Sequence, residues 1–182
     1  KKNNVDHIRG EALLKSNDSV EIKETGQTIS AKNVIVATGS RSRSLPALPI
    51  DGKVVITSRE ALELREAPAS MAIVGGGATG AEFAYMYRAY GSEVTLIEML
   101  PQLVPTEDEE IGKQLGSSFS KQGIKVLTGS RVTDATIKNG KATLTISTPK
   151  GQEKVVVDKV LVSVGVQGNI EGLGLEELGV ET

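Results

Sequence analysis

Residues 73–84 read IVGGGATGAEFA, a glycine motif between two regular segments. The apolar run at 71–74 before it is typical of a buried strand, and residues 81–90 after it have the composition of a helix. A Gly-x-Gly-x-x-Gly motif between a strand and a helix is the fingerprint of a dinucleotide-binding β-α-β unit. A kinase-type glycine loop is disfavoured, because a strand and an Ala-x-Lys follow that loop. The motif therefore predicts a dinucleotide site, with a purely structural turn as the alternative.

The glycines of the motif have separate expected roles. Gly75 makes the tight turn, Gly77 lets the backbone approach a pyrophosphate, and Gly80 lets helix and strand pack closely. The helix that follows offers unpaired N–H groups and about half a positive charge to phosphates. We therefore predict a phosphate subsite made of Gly75, Gly76, Gly77, Ala78, Thr79 and Gly80.

Two glutamates extend this prediction. Glu98 follows the next apolar run, residues 94–97, at about the ~20-residue spacing at which an acidic residue accepts hydrogen bonds from the adenosine ribose. It would repel a 2′-phosphate, and residues 99–101 supply no arginine to receive one, so the sequence favours NAD(H) over NADP(H). The alternative for Glu98 is a charge that marks where the strand reaches solvent. Glu82 either complements the dipole of the first helical turn or reaches the nicotinamide end of the ligand.

The order of elements predicts an α/β fold with a parallel sheet. A second helix is expected to start near Thr106, where Thr106 and Glu109 have capping-box spacing, and a third strand is expected at 124–127. Asn139–Gly140 then predicts a β-hairpin within an antiparallel meander, followed by another buried strand at 159–164. Upstream, the sequence predicts strands at residues 5–9 and 33–37, the second of them buried on both faces. Ser58 is expected to cap a short helix.

Composition excludes several classes of function. The 182 residues carry a net charge of −2 with both signs interleaved, which gives no basic surface for nucleic acid or an acidic membrane. There is no cysteine and one histidine, so thiol nucleophiles are absent and a zinc site is disfavoured. The lack of cysteine is typical of a cytoplasmic protein without disulfides. Arg41 and Arg43 are interpreted as part of a solvated loop.

The combination of motifs resembles the pyridine nucleotide–disulfide oxidoreductases, in particular the branch that oxidises dihydrolipoamide. The matching pieces cover nearly the whole chain, at 36–40, 73–84, 94–101, 131–158, 160–165 and 173–176. In that family one domain binds FAD, an inserted domain binds NAD, and a C-terminal domain forms a homodimer. The resemblance implies that residues 1–44 are the tail of an incomplete flavin-binding domain, 45–66 a crossover segment, 67–166 a Rossmann-like NAD-binding domain and 167–182 the return to the flavin domain.

The resemblance also assigns roles to residues. It places Glu82 beside the nicotinamide, Val132 on the adenine side of the groove and Gly165 on the nicotinamide side. Positions that touch FAD in an intact family member are matched by Gly10, Thr38, Gly39 and Ser40. The family's FAD glycine motif, its redox cysteine pair and its acid/base His/Glu pair have no counterpart here, so no catalytic residue is assigned. Residues 166–168 (VQG) stand where the family usually has an arginine.

We therefore hypothesise an NAD(H)-binding part of a flavoprotein that oxidises dihydrolipoamide, binding nucleotide without turning over by itself. The implied partners are the rest of the flavoenzyme with its FAD, a homodimer partner and a 2-oxo acid dehydrogenase complex, with no nucleic acid and no membrane. The alternatives are a stand-alone NAD(H)-binding regulator, and a related flavoenzyme such as an NADH oxidase or a mercuric reductase.

Overall fold

The computed structural model describes residues 3–182. The chain forms two compact units. One unit is continuous, Ser42–Gln167, and the other combines the chain up to Arg41 with Gly168–Thr182. The strands and helices are, in chain order, β1 Ala12–Ser16, β2 Ser19–Ile22, β3 Gln27–Ser30, β4 Ser40–Ser42, β5 Val55–Ile56, α1 Ser58–Glu63, β6 Ser70–Val74, α2 Ala78–Ala89, β7 Glu93–Ile97, α3 Glu109–Lys121, β8 Lys125–Leu127, β9 Arg131–Lys138, β10 Lys141–Thr148, β11 Gly151–Val157, β12 Lys159–Val162 and β13 Val166–Gly168.

A five-stranded parallel sheet is the framework of the continuous unit. Its strand order is β5-β12-β6-β7-β8, and each neighbouring pair is parallel. Parallel neighbours require crossover connections, and α2 and α3 provide those from β6 to β7 and from β7 to β8. This confirms the predicted α/β fold with a parallel sheet.

Both faces of this sheet are covered, which explains why its strands are apolar throughout. Because successive side chains of a strand point to opposite faces, Met71 and Ile73 of β6 pack into a core with the helices. Ala72 and Val74 of the same strand pack into a second core with the meander β9–β11. All four residues are buried.

The antiparallel meander has the order β11-β10-β9, as the sequence predicts. Its first turn contains Asn139 with φ 53° and Gly140 with φ 75°. Two consecutive positive φ angles are the geometry that an Asn-Gly hairpin turn adopts. Alternate residues Ala142, Leu144 and Ile146 of β10 are fully buried, so this strand presents one face to the sheet.

The discontinuous unit contains a smaller antiparallel sheet of order β1-β2-β3. Its two chain segments are joined by hydrogen bonds, among them one from the Leu14 N–H to the Leu173 carbonyl at 2.8 Å. The Thr38 hydroxyl donates to the carbonyl of Asn169 at 2.6 Å. The Arg41 guanidinium is paired with the carboxylate of Glu171.

Two predicted strands of this unit are not formed. Residues 5–9 and 33–37 have no strand assignment, and Ile35 is 90% exposed. A strand buried on both faces needs neighbouring strands and covering layers. Within the described residues nothing covers Ile35, so the apolar run at 33–37 stays extended and open to solvent.

Two predicted helix starts are also wrong. The cap of α1 is Thr57, not Ser58: the Arg59 N–H donates to the Thr57 hydroxyl, and the Glu60 carboxylate accepts from the Thr57 N–H at 2.8 Å. Helix α3 begins at Glu109 rather than at Thr106. The segment before it is held elsewhere, because Leu103 is buried and the Val104 N–H donates to the carbonyl of Gly76 at 2.7 Å.

None of the helices within residues 3–182 is both long enough and apolar enough to cross a membrane.

Candidate functional site

The glycine motif forms the turn from β6 into α2, and each of its three motif glycines has a distinct steric setting. Gly75 has φ 108°, a backbone conformation that a side chain would disfavour. A methyl group added to Gly80 would overlap the carbonyl oxygen of Gly75. At Gly77, by contrast, such a group would meet nothing within 4 Å. Gly75 and Gly80 are thus needed for the loop's conformation and close packing, whereas Gly77 borders free space.

Helix α2 begins directly at this open space. Its N-cap is Gly77, and no side chain accepts a hydrogen bond from the first turn. The first N–H groups of a helix have no partner within the helix, and they carry a partial positive charge. The loop and the helix start thus present donors and positive potential to the region beside Gly77.

Glu98 holds the loop from the neighbouring strand end. It directly follows β7 and is only 8% exposed. Its carboxylate accepts from the Gly76 N–H at 2.6 Å and from the Leu100 N–H at 2.7 Å. These two bonds fix the Glu98 side chain against the glycine loop and the turn that follows β7.

Ser163 supports the loop from the other side. It follows β12, and its hydroxyl lies 3.1 Å from the carbonyl of Val74 and 3.0 Å from that of Gly75. The Ser163 N–H also donates to the carbonyl of Val74 at 2.8 Å, so the backbone and the hydroxyl of Ser163 together stabilise the strand end from which the loop departs.

These strand ends border a cavity of about 780 Å³ within the continuous unit. Its size falls in the range of ~300–1,000 Å³ found for small-molecule and cofactor sites. It lies outside the carboxyl ends of β6, β7 and β12, where ligands bind in open α/β sheets. The predicted site residues on its wall are Gly75, Gly77, Ala78, Thr79, Glu98, Val132 and Gly165.

Other predicted residues lie behind or away from the wall. Gly76 and Gly80 are buried and shape the loop from behind. Glu82 is exposed and is not part of the cavity wall. It also lies beyond the first turn of α2, which starts at Ala78 and contains no acidic residue, so the interpretation of Glu82 as a dipole-complementing residue of that turn is wrong.

Two arginines on the cavity wall were not predicted. Arg43, interpreted from sequence as part of a solvated loop, donates from Nε to the carbonyl of Val166 at 3.0 Å and lines the cavity. Arg131, the first residue of β9, also lines it. With Glu98 they are the charged residues of the wall, which gives it two positive charges for one negative charge. No sequence pattern marks Arg43, but Arg131 precedes Val132, which the family resemblance already implied to lie at the groove.

The four residues expected to touch FAD lie in the discontinuous unit. A Cβ at Gly10 would lie 2.5 Å from the Ile22 side chain and 2.8 Å from that of Glu24, so packing favours glycine at this position. Thr38 bonds to Asn169, and Gly39, with φ 80°, accepts a hydrogen bond from the Asn169 N–H at 3.0 Å. Ser40 begins β4 and is exposed. Thr38 and Gly39 thus join the two chain segments of this unit, and the predicted contacts with FAD stay a prediction.

Comparison with known proteins places these features in a family. The model of a family described as pyridine nucleotide-disulphide oxidoreductase matches residues 1–182. Among curated relatives, the chain is similar to a dihydrolipoyl dehydrogenase of Chlorobaculum tepidum, with 41% identity over 100% of this chain and 40% of the relative. It is also similar to the dihydrolipoyl dehydrogenase of Bacillus subtilis, with 45% identity over 87% of this chain and 34% of the relative.

Solved structures of flavoprotein disulfide reductases also superpose on this chain. The HOCl-induced flavoprotein disulfide reductase RclA from Escherichia coli superposes with a TM-score of 0.79 at 27% identity, covering 98% of this chain and 40% of that one. LpdA from Mycobacterium tuberculosis gives a TM-score of 0.77 at 29% identity, covering 95% and 39%. The chain spans about 40% of the length of most of these relatives.

Proposed function

Because the chain belongs to the pyridine nucleotide-disulphide oxidoreductases, we propose that its continuous unit, Ser42–Gln167, binds NAD(H) in the cavity beside the glycine loop. The observation that carries this proposal is the arrangement of Gly77, the start of α2 and Glu98 around one cavity. The discontinuous unit corresponds, in this proposal, to part of a flavin-binding domain.

The diphosphate of the dinucleotide is assigned to the loop and the start of α2. Gly77 leaves free space where the backbone must approach the phosphates, and the uncapped N–H groups of α2 are donors for an anion. Arg43 on the cavity wall adds positive charge. An anionic ligand suits this wall better than a neutral or cationic one.

The adenosine ribose is assigned to Glu98. A carboxylate offers about four lone-pair sites, and the bonds from Gly76 and Leu100 occupy two of them. The remaining sites can accept from ribose hydroxyls, whereas a 2′-phosphate would be placed next to a carboxylate. This supports NAD(H) as the preferred nucleotide.

This placement of the diphosphate and the ribose also determines where the adenine and nicotinamide ends of the ligand lie. Val132, the second residue of β9, is assigned to the adenine side of the cavity. Gly165, which follows β12 on the other side of β6 from β7, is assigned to the nicotinamide side. Glu82 does not line the cavity, so its proposed contact with the nicotinamide requires a ligand that extends beyond the wall.

For the whole protein we propose a flavoprotein that oxidises dihydrolipoamide with NAD⁺ as acceptor. The relatives at 41–45% identity are dihydrolipoyl dehydrogenases, which favours this activity over that of an NADH oxidase or a mercuric reductase. The nicotinamide, when bound, accepts a hydride, and the chemistry of that transfer belongs to the cofactors. FAD, a homodimer partner, a 2-oxo acid dehydrogenase complex and a cytoplasmic location belong to the same proposal.

The direct experiment is a calorimetric or fluorescence titration of the purified 182-residue chain with NADH. We expect saturable binding with one site per chain. We expect no dihydrolipoamide-dependent formation of NADH, because the chain has no cysteine for dithiol–disulfide exchange. Absence of NADH binding at millimolar concentration would overturn the nucleotide-binding role. Oxidation of dihydrolipoamide by this chain would overturn the claim that the reaction needs cysteines that the chain lacks.

A further inference from the structure

Beyond the assignment of Glu98, we propose that Arg131 binds the adenosine 2′-phosphate of NADP(H) and so opposes the discrimination that Glu98 exerts. The inference rests on the proposed function, since it concerns the adenosine end of the same cavity. It makes Arg131 a specificity-determining residue.

The backbone brings Arg131 beside Glu98. The Ser130 N–H donates to the carbonyl of Glu98 at 2.8 Å, and the Gly129 N–H donates to that of Leu100, also at 2.8 Å. These bonds tie the segment before β9 to the turn after β7. Arg131 is the next residue along the chain, and it lines the same cavity as Glu98.

The guanidinium of Arg131 is available for a ligand. Arg131 is exposed, and within residues 3–182 no carboxylate lies within ion-pair distance of it. Arg43, the other arginine of the wall, already donates from Nε to Val166. Arg131 therefore retains all five N–H donors, in the planar arrangement that matches a phosphate.

Glu98 is fixed in position whereas Arg131 is not. The bonds from Gly76 and Leu100 hold the carboxylate at the loop. The long side chain of Arg131 has no partner among the described residues and is free to reorient. A 2′-phosphate at this end of the cavity would thus be repelled by the fixed carboxylate of Glu98 and attracted by the mobile guanidinium of Arg131. The affinity for NADP(H) depends on the relative strength of these two interactions.

The test compares dissociation constants for NADH and NADPH in the full chain and its variants. In Arg131→Ala we expect NADPH binding to weaken by about ten-fold and NADH binding to change by less than about two-fold. The matched control is Lys138→Ala, which removes one exposed cation from the far end of β9, away from the cavity wall. This control should change neither constant.

The variant Glu98→Ala shows the opposing effect directly. We expect the ratio of NADPH to NADH affinity to rise by about ten-fold, and that gain to disappear in the Glu98→Ala, Arg131→Ala double variant. If Glu98→Ala does not fold, the effect of Arg131→Ala on NADPH and NADH binding still tests the inference, because Arg131 is exposed and its replacement should not disturb folding. Equal effects of Arg131→Ala on both nucleotides, or none on either, would overturn the inference while NADH binding by the wild type upheld the proposed function. Absence of binding by the wild type would overturn both.

Discussion

The carboxylate of Glu98 accepts a hydrogen bond from the backbone N–H of Gly76 at 2.6 Å, across 22 residues of sequence. The residue that the sequence assigned to a ribose thus also shapes the loop assigned to the phosphates. Glu98 therefore has a structural role before any ligand binds, and the first prediction separates the two roles.

Replacing Glu98 with Ala should lower both stability and NADH affinity. Loss of two hydrogen bonds to a buried carboxylate is expected to cost on the order of 2–4 kcal/mol in the free energy of unfolding, and the NADH dissociation constant should rise at least a few-fold. Urea unfolding and calorimetry measure the two quantities. Glu93→Ala is the control, because it removes an exposed glutamate from the start of the same strand. Unchanged NADH affinity in a folded Glu98→Ala variant would contradict the ribose assignment.

The wild-type chain should prefer NADH to NADPH by about ten-fold or more, equivalent to ~1.4 kcal/mol. The physical reason is that the 2′-phosphate would lie beside the Glu98 carboxylate, with Arg131 reducing the difference without cancelling it. Parallel titrations with both nucleotides at one salt concentration measure the ratio. Equal affinities would refute the preference for NAD(H).

Two glycine substitutions should have different effects although they lie three residues apart. Gly80→Ala should cost more than ~3 kcal/mol or prevent folding, because the methyl group would overlap the Gly75 carbonyl. Gly77→Ala should cost only about 1 kcal/mol, the penalty of alanine at an N-cap, since nothing lies within 4 Å. It should still weaken NADH binding by about ten-fold, because its methyl group would stand in the phosphate subsite. Circular dichroism, urea unfolding and calorimetry distinguish these outcomes, and full NADH affinity in Gly77→Ala would argue against the subsite.

Tyr87→Phe should lower stability without changing nucleotide affinity. The buried Tyr87 hydroxyl donates to the carbonyl of Ala61 at 2.6 Å, and burial raises the pKa of this hydroxyl. Removing it leaves a carbonyl of the short helix α1 without a partner, which should cost about 1–2 kcal/mol. Tyr85→Phe, on the exposed side of α2, is the control and should be neutral within ~0.5 kcal/mol. A changed NADH dissociation constant in Tyr87→Phe would show that this part of α2 contributes to the site.

The Arg41–Glu171 pair should give the discontinuous unit a pH dependence in acid. The hydrogen bond from the Arg41 guanidinium lowers the pKa of Glu171 from 4.5 to about 2. Because the folded pKa lies below the unfolded one, the contribution of the pair is complete above about pH 4.5 and is lost as the pH falls towards about 2. Carboxyl chemical shifts measured by NMR should show a pKa for Glu171 of about 2 in the wild type and a higher pKa in Arg41→Ala, still below the ordinary value of 4.5 because backbone hydrogen bonds to Glu171 also lower it. Arg9→Ala, which removes an exposed arginine of the same unit, should leave that titration unchanged.

The local structure of the candidate site could be predicted from the sequence because its signals are local. The glycine motif, the apolar strands and the Asn-Gly turn each depend on a few consecutive residues, and the structure has all three. The fold class was predictable for the same reason. The predictions that were wrong depend on contacts between distant parts of the chain. Leu103 and Val104 contact the glycine loop, which keeps the segment before Glu109 out of helix α3, and the strand predicted at 33–37 has no neighbouring strand among the described residues. Arg43 and Arg131 belong to the cavity only through the topology that brings distant segments together.

The division of the chain into units has a consequence for the order of folding during synthesis. The backbone N–H of Arg43 donates to the carbonyl of Gly165 at 3.0 Å, so the two ends of the continuous unit close on each other. That unit is complete as soon as its last residue has left the ribosome. The discontinuous unit must wait for Gly168–Thr182, which at ~5–20 residues per second arrives on the order of ten seconds after its first segment. During this interval Leu14 and Thr38 lack the hydrogen-bond partners that Leu173 and Asn169 later supply, and a chain arrested near residue 167 should still yield a folded continuous unit.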